Sequence, residues 1–202
     1  MQYRLIMLGV VLVSFVPVWA QEYPGIEFFV GGSVASTNVI GRNNAAGWQI
    51  NTAFNPNQRL RLVGDFGGQP QNTNIKWQGQ QITIRNYQVL FGPEFTLRRQ
   101  RLTWFAHPLA GVAAAQFATR SGDVPATDYG FATEFGGGVD VTLSRLLALR
   151  VFQVDYILSQ MHQENPSISA LRPSDLPPLS DWQHSVRVGF GIVVRLAHRE
   201  AQ

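Results

Sequence analysis

Nine side chains in this sequence have the types and spacing for ionic chemistry in an enclosed space. They are Glu27, Asp65, Glu94, Glu134, Asp140 and Asp155, with Arg61, Arg187 and His107. Each falls on the polar phase of a stretch in which apolar and polar residues alternate. A period of two places alternate side chains on opposite faces of a strand, so all nine are expected on one side of a sheet. If that side is closed off from water, the charges must pair, because burying a lone ion is costly. Two outcomes are open: a salt-bridged polar plug, or a narrow, acid-lined pore that prefers cations.

The histidines are the remaining candidates for a catalytic base. His107 lies within a strand pattern, whereas His162, His184 and His198 fall at loop edges or in the tail. No histidine has the tight spacing with a serine and an acid that would suggest a nucleophile and its base. Ser159 near His162 and Asp181 near His184 are the pairs worth testing. The glycine clusters Gly136-Gly137-Gly138 and Gly189-Phe190-Gly191 do not open a helix, so they do not form a phosphate cradle. They are expected to relieve crowding on an inner wall. The residues imply no enzyme, no metal site and no cofactor.

The elements that must position these residues are strands. In the last segment Val186, Val188, Phe190, Ile192, Val194 and Leu196 alternate with Arg187, Gly189, Gly191, Val193 and Arg195. Seven more segments follow the same template, over roughly 26–33, 48–54, 60–66, 87–97, 104–112, 131–143 and 151–158. In the fifth, Trp104, Ala106, Ala110 and Val112 are read as outward and His107 as inward. In the sixth, Val139 is read as outward. In the seventh, Phe152, Val154, Tyr156 and Leu158 are read as outward against Val151, Gln153 and Asp155. Each apolar stretch is about 9–12 residues, the length a tilted strand needs to cross hydrocarbon.

Composition agrees with strands that face lipid. Charged residues are 14% of the chain, with 19 glycines and 13 phenylalanines, and no mature segment reads as a membrane-spanning helix. The net charge of +3 is scattered rather than gathered into a stripe, which argues against a nucleic-acid binder. The absence of cysteine excludes disulfides, thiolate sites and a lipid-modified N-terminal cysteine. Arg4, the apolar run Leu5 to Val18 and Val18-Trp19-Ala20 read as a secretory signal cleaved before Gln21. The run is about 14 residues, too short for a spanning helix, which needs roughly 20. The division is therefore 1–20 signal peptide and 21–202 barrel.

Connections alternate in length. Asn55-Pro56-Asn57-Gln58, Arg98-Arg99-Gln100-Arg101 and Ser144-Arg145 are short turns. Longer polar loops fall near 38–46, 69–81, 119–130 and 162–184. Short turns at one end and long loops at the other is the arrangement of outer-membrane barrels, with both termini at the periplasmic end. The expected fold is all-β: a transmembrane, antiparallel, up-and-down barrel of eight strands. Arg59, Arg98, Arg99, Arg101, Arg145, Arg150, Arg195 and Arg199 are expected to gather at the periplasmic end, their stems reaching anionic lipid headgroups.

The alternation, the final strand Val186 to Leu196 and the stretch Leu149-Arg-Val-Phe-Gln-Val-Asp-Tyr156 resemble the small eight-stranded outer-membrane family. That family includes the transmembrane domain of outer-membrane protein A and the opacity-type surface proteins, and the resemblance covers residues 24 to 196. It implies a cell outer membrane of Gram-negative type. It also implies insertion by the barrel assembly machinery, outer-membrane lipids as partners and loops that meet an extracellular ligand. A monomer is expected. The family normally ends on a terminal aromatic that the assembly machinery reads, whereas this chain ends Leu196-Ala-His-Arg-Glu-Ala-Gln202. No appended peptidoglycan-binding domain is expected. An eight-stranded bore is just wide enough for side chains to fill, so the nine-residue set is read as the plug. The implied role is non-enzymatic, supporting the envelope and presenting loops. A narrow porin-like channel is the alternative, and a lipid-modifying enzyme the next.

Overall fold

The structure, a computed structural model, describes residues 23–37, 43–69, 75–77, 80–119, 126–161 and 182–199. The described residues form nine strands: β1 (Tyr23–Thr37), β2 (Asn43–Phe54), β3 (Leu60–Gln69), β4 (Ile75–Trp77), β5 (Gln80–Arg99), β6 (Leu102–Thr119), β7 (Ala126–Thr142), β8 (Leu147–Met161) and β9 (Trp182–Arg199). Eight of them form the wall. Sequence neighbours pair antiparallel from β5 through β9, β9 pairs with β1, and β1, β2 and β3 follow in turn. Pairing of β3 with β5 closes the ring. The short β4 stands outside it, folding back on β5 through Ile75↔Ile82 and Trp77↔Gln80.

The fold is thus the eight-stranded up-and-down barrel that the alternation implies. Closure leaves no wall strand with an unpaired edge, the condition for a sheet to lie in lipid. The outer face carries an apolar belt that includes Val30, Phe66, Phe91, Phe135, Phe190 and Ile192, all exposed. A contiguous apolar outer surface on a closed barrel defines a transmembrane fold. No helix among the described residues is long and apolar enough to cross a membrane.

The strands are longer than their apolar stretches. β5 has 20 residues and β6 has 18, whereas about 9–11 suffice to span the hydrocarbon. The β5–β6 hairpin must therefore project beyond it at the end opposite the short turns. The N-terminal part of β2, the whole of β4 and the starts of β5 and β7 lie in segments whose polar composition predicts loops. The expected signal segment and the greater part of the four long loops lie outside the described residues.

The turns are explained by local hydrogen bonding. Asn57 Oδ1 accepts from the backbone N–H groups of Arg59 and Leu60, both at 2.9 Å. Ser144 Oγ accepts from Leu146 and Leu147 at 3.3 and 3.1 Å. Short polar side chains of this kind fold back on the next two or three amides and set a tight reversal. Gln100, between the paired Arg99 and Leu102, takes the left-handed conformation with φ 51°.

Two departures from regular pairing matter for the interior. Pro93 in β5 and Pro108 in β6 stand at the same level of the wall, and the β5–β6 ladder is unpaired between Phe91↔Ala110 and Phe95↔Ala106. Proline cannot donate to a ladder, so placing two side by side confines the loss to one gap. The second departure is a bulge in β8. Gly189 and Gly191 of β9 lie opposite Gln153 and Arg150, so β8 contains one residue more than its partner there. Val151 and Phe152 are consecutive and both exposed, while Arg150 and Gln153 on either side are buried.

Candidate functional site: the ion-paired lumen

All nine sequence-identified residues are buried inside the barrel, and their contacts link them into one network. At the short-turn end Arg61 bridges three strands besides its own. Its guanidinium lies 2.8 Å from Glu27, 2.7 Å from Glu94 and 3.7 Å from Asp140. The other oxygen of Glu94 lies 3.0 Å from His107 Nδ1. On its far side, His107 Nε2 faces Glu134 at 3.2 Å and Asp155 at 3.3 Å. These two carboxylates then meet Arg187, whose guanidinium is 2.9 Å from Glu134, 2.8 Å from Asp155 and 3.3 Å from Asp65. A chain of charge-assisted contacts therefore runs through the bore from Glu27 to Asp65.

Neutral side chains complete it. Asn51 donates to Asp65 at 2.7 Å, Gln88 to Glu134 at 3.1 Å and Gln153 to Asp155 at 2.8 Å. Gln49 also donates to Asp65. Apolar groups take up the remaining width: Val63, Leu90 and Leu109 form one buried cluster with several alanines, and Phe29, Ala148 and Val193 form another. Glycines on the wall give the charged groups room. A Cβ at Gly136 would collide with the Asp155 carboxylate and the His107 imidazole, and one at Gly67 would press on the Arg187 guanidinium.

The structure corrects the placement of two arginines. Arg150 and Arg195 were expected at the periplasmic end against lipid headgroups, but both side chains are buried in the lumen. Arg150 binds Asp140 at 2.8 Å and Gln153 at 2.7 Å, and its guanidinium is sandwiched between the rings of Phe29 and Phe105 at 4.4 and 4.2 Å. The β8 bulge is the cause. Strict alternation from Asp155 backwards puts Val151 inside and Arg150 outside, and the extra residue reverses that phase. Arg195 and the half-buried Arg98 both approach Glu27, at 3.3 and 3.5 Å. Val139 keeps its outward reading: its cross-strand neighbours Trp104 and Phe152 are exposed on the outer face and cover it. Six carboxylates thus meet five arginines in the network, and His107 supplies the sixth cation when protonated.

The candidate catalytic pairs each have one member outside the described residues, His162 in one case and Asp181 in the other. Their described members stand on opposite sides of the wall. Ser159 is buried on the inner face, whereas His184 is on the outer face with Nδ1 against the Tyr156 hydroxyl. His107, Glu134 and Asp155 lie close enough together to suggest metal ligands. However, Arg187 already occupies both carboxylates and Glu94 the other side of the imidazole.

A closed eight-stranded barrel with an apolar outer belt and an ion-paired bore defines a class, the small transmembrane barrels. Solved structures share this fold. Neisserial surface protein A superposes with a TM-score of 0.64 at 11% identity, covering 87% of this chain and 99% of that one. Ail, the attachment invasion locus protein of Yersinia pestis, solved with the heparin analogue sucrose octasulfate, superposes with a TM-score of 0.52 at 14% identity, covering 87% of this chain and 99% of that one. No family model and no curated protein sequence matches the chain. The resemblance to the small eight-stranded outer-membrane barrels therefore holds at the level of the fold.

Proposed function

We propose that this protein is a non-enzymatic barrel of a Gram-negative outer membrane, with its bore sealed by the ion-paired plug. Its role is to reinforce the envelope and to present its long connections as contact surfaces. The observation that supports this reading is the unbroken chain of contacts from Glu27 through Arg61, Glu94, His107 and Arg187 to Asp65. A transport path needs a continuous line of water, and this bore is crossed at several levels by side chains that hold one another. Breaking a buried pair leaves an uncompensated charge, so the plug resists opening.

The experiment is a planar-bilayer recording of the purified, refolded protein. The expected result is a bilayer that stays silent, apart from rare transient steps. Steady open conductance would overturn the plug and favour the narrow pore. Resistance to carbonate extraction and a heat-modifiable band on a detergent gel are expected of a membrane barrel. A mature chain that stays soluble without detergent would refute the membrane assignment.

A further inference from the structure

Among the described side chains, the charges exposed on the outside of this barrel are all positive. Among the described side chains, all six carboxylates are buried in the lumen, whereas Arg59, Arg85, Arg99, Arg101 and Arg145 are exposed. Four of these five belong to the short turns. Arg59 ends the β2–β3 turn, Arg99 and Arg101 flank Gln100 in the β5–β6 turn, and Arg145 lies in the β7–β8 turn. Backbone contacts stitch these turns to the neighbouring strands: the Arg59 carbonyl accepts from Thr96 N–H at 2.8 Å, and the Arg101 carbonyl accepts from Thr142 N–H at 2.7 Å. The arginines therefore follow one rim of the barrel.

This rim is also where the apolar belt stops. Leu62 precedes Arg59 along the wall, Leu97 and Leu102 flank Arg99 and Arg101, and Leu143 and Leu146 flank Arg145; all five apolar side chains are exposed. A cation one to three residues beyond the last lipid-facing leucine sits at headgroup depth, its stem lying along the apolar surface and its guanidinium at the phosphate. The planar guanidinium can bind a phosphate diester through two N–H donors.

We propose that this arginine rim is a docking surface for anionic phospholipid headgroups, which it gathers preferentially around the short-turn end. The inference rests on the membrane reading above and goes beyond it by naming the lipid class and the residues. The charge complementarity carries the assignment: among the described side chains every exposed charge at this rim is a guanidinium.

Trp104 offers a reporter. Its side chain is exposed on β6, three residues from Arg101 and so about 10 Å along the strand. Trp48 and Trp182 lie towards the opposite end, paired with Gly68 and Gln160. The protein with Trp48, Trp77 and Trp182 each replaced by Phe is reconstituted in phosphatidylcholine vesicles containing phosphatidylglycerol. One lipid at a time carries brominated chains that quench the indole. The expected result is a preference for phosphatidylglycerol at Trp104 on the order of fivefold. It is lost in 0.5 M salt, used as roughly a threefold shorter screening length than at low salt, and in the variant Arg59→Gln/Arg99→Gln/Arg101→Gln. These turn substitutions touch no lumen group, and an unchanged heat-modifiable band shows that the variant folds. Equal quenching by the two lipids in the parent would overturn the proposal while leaving the barrel in the membrane. No quenching by either would overturn the membrane reading and the docking surface with it. Equal quenching, together with arginine-dependent sedimentation on purified murein sacculi, would assign the rim to the cell wall and overturn the lipid assignment.

Discussion

Replacing Arg187 by Met tests the ion-paired lumen directly. Arg187 is fully buried, and its guanidinium holds Asp65, Glu134 and Asp155 at 2.8–3.3 Å. Methionine occupies most of the volume and keeps the chain flexible, so packing changes little while three carboxylates lose their common partner. Removing one partner of a buried pair costs about 3–5 kcal/mol. With three acids exposed to one another the loss should lie at the upper end of that range, equivalent to a few thousandfold in the folding equilibrium at about 1.4 kcal/mol per decade. Urea unfolding in lipid vesicles, followed by tryptophan fluorescence and by the heat-modifiable gel band, measures it. Arg187→Met combined with Glu134→Gln and Asp155→Asn should recover much of the loss, because neutral amides need no counter-ion. A loss below about 1 kcal/mol for the single variant, as expected of an ordinary surface change, would refute the view that the network sustains the barrel.

Gly136→Ala should destabilise the barrel by about 1–3 kcal/mol, the cost of overpacking a tight interior, because its methyl group meets Asp155 and His107; the same unfolding assay measures it. Deleting Val151 removes the extra residue of the β8 bulge and leaves Phe152 outward between the inward Arg150 and Gln153, so both lumen side chains keep their face. That variant should still give a heat-modifiable band, whereas deleting Val151 and Phe152 together, which turns Arg150 towards lipid and Leu149 into the lumen, should abolish it. Arg61→Ala breaks the contacts to Glu27 and Glu94 at the short-turn end, and planar-bilayer recordings should then show longer-lived conductance steps than in the parent.

Much of the barrel was legible because its wall imposes a period of two on the sequence. The nine lumen residues followed from that phase alone, since Glu94 or Asp155 could be assigned a side of the wall without knowing its partner. What alternation does not report is a change of phase. The stretch Leu149-Arg-Val-Phe-Gln-Val sets two adjacent apolar residues, Val151 and Phe152, between polar ones, and strict alternation back from Asp155 absorbs that doublet by putting Val151 inside and Arg150 outside. Partner choice was also illegible. Glu94 reaches both Arg61 and His107, and these lie on the strands to either side of its own, a relation set by strand tilt and closure rather than by spacing. Pro108 blurred the fifth strand because proline is rare inside a sheet, and only its placement beside Pro93 explains how β6 tolerates it.

The closing seam between β1 and β9 has a consequence for biogenesis. β9 is the last described strand to leave the ribosome, and it brings Arg187 and Arg195. Before it docks, Glu27, Asp65, Glu134 and Asp155, on β1, β3, β7 and β8, lack one of their cations. The edges of β1 and β8 are then also open, since both pair with β9. Neutralising the lumen and sealing the wall are therefore one event. A chain that lacks β9 is therefore defective in both ways at once.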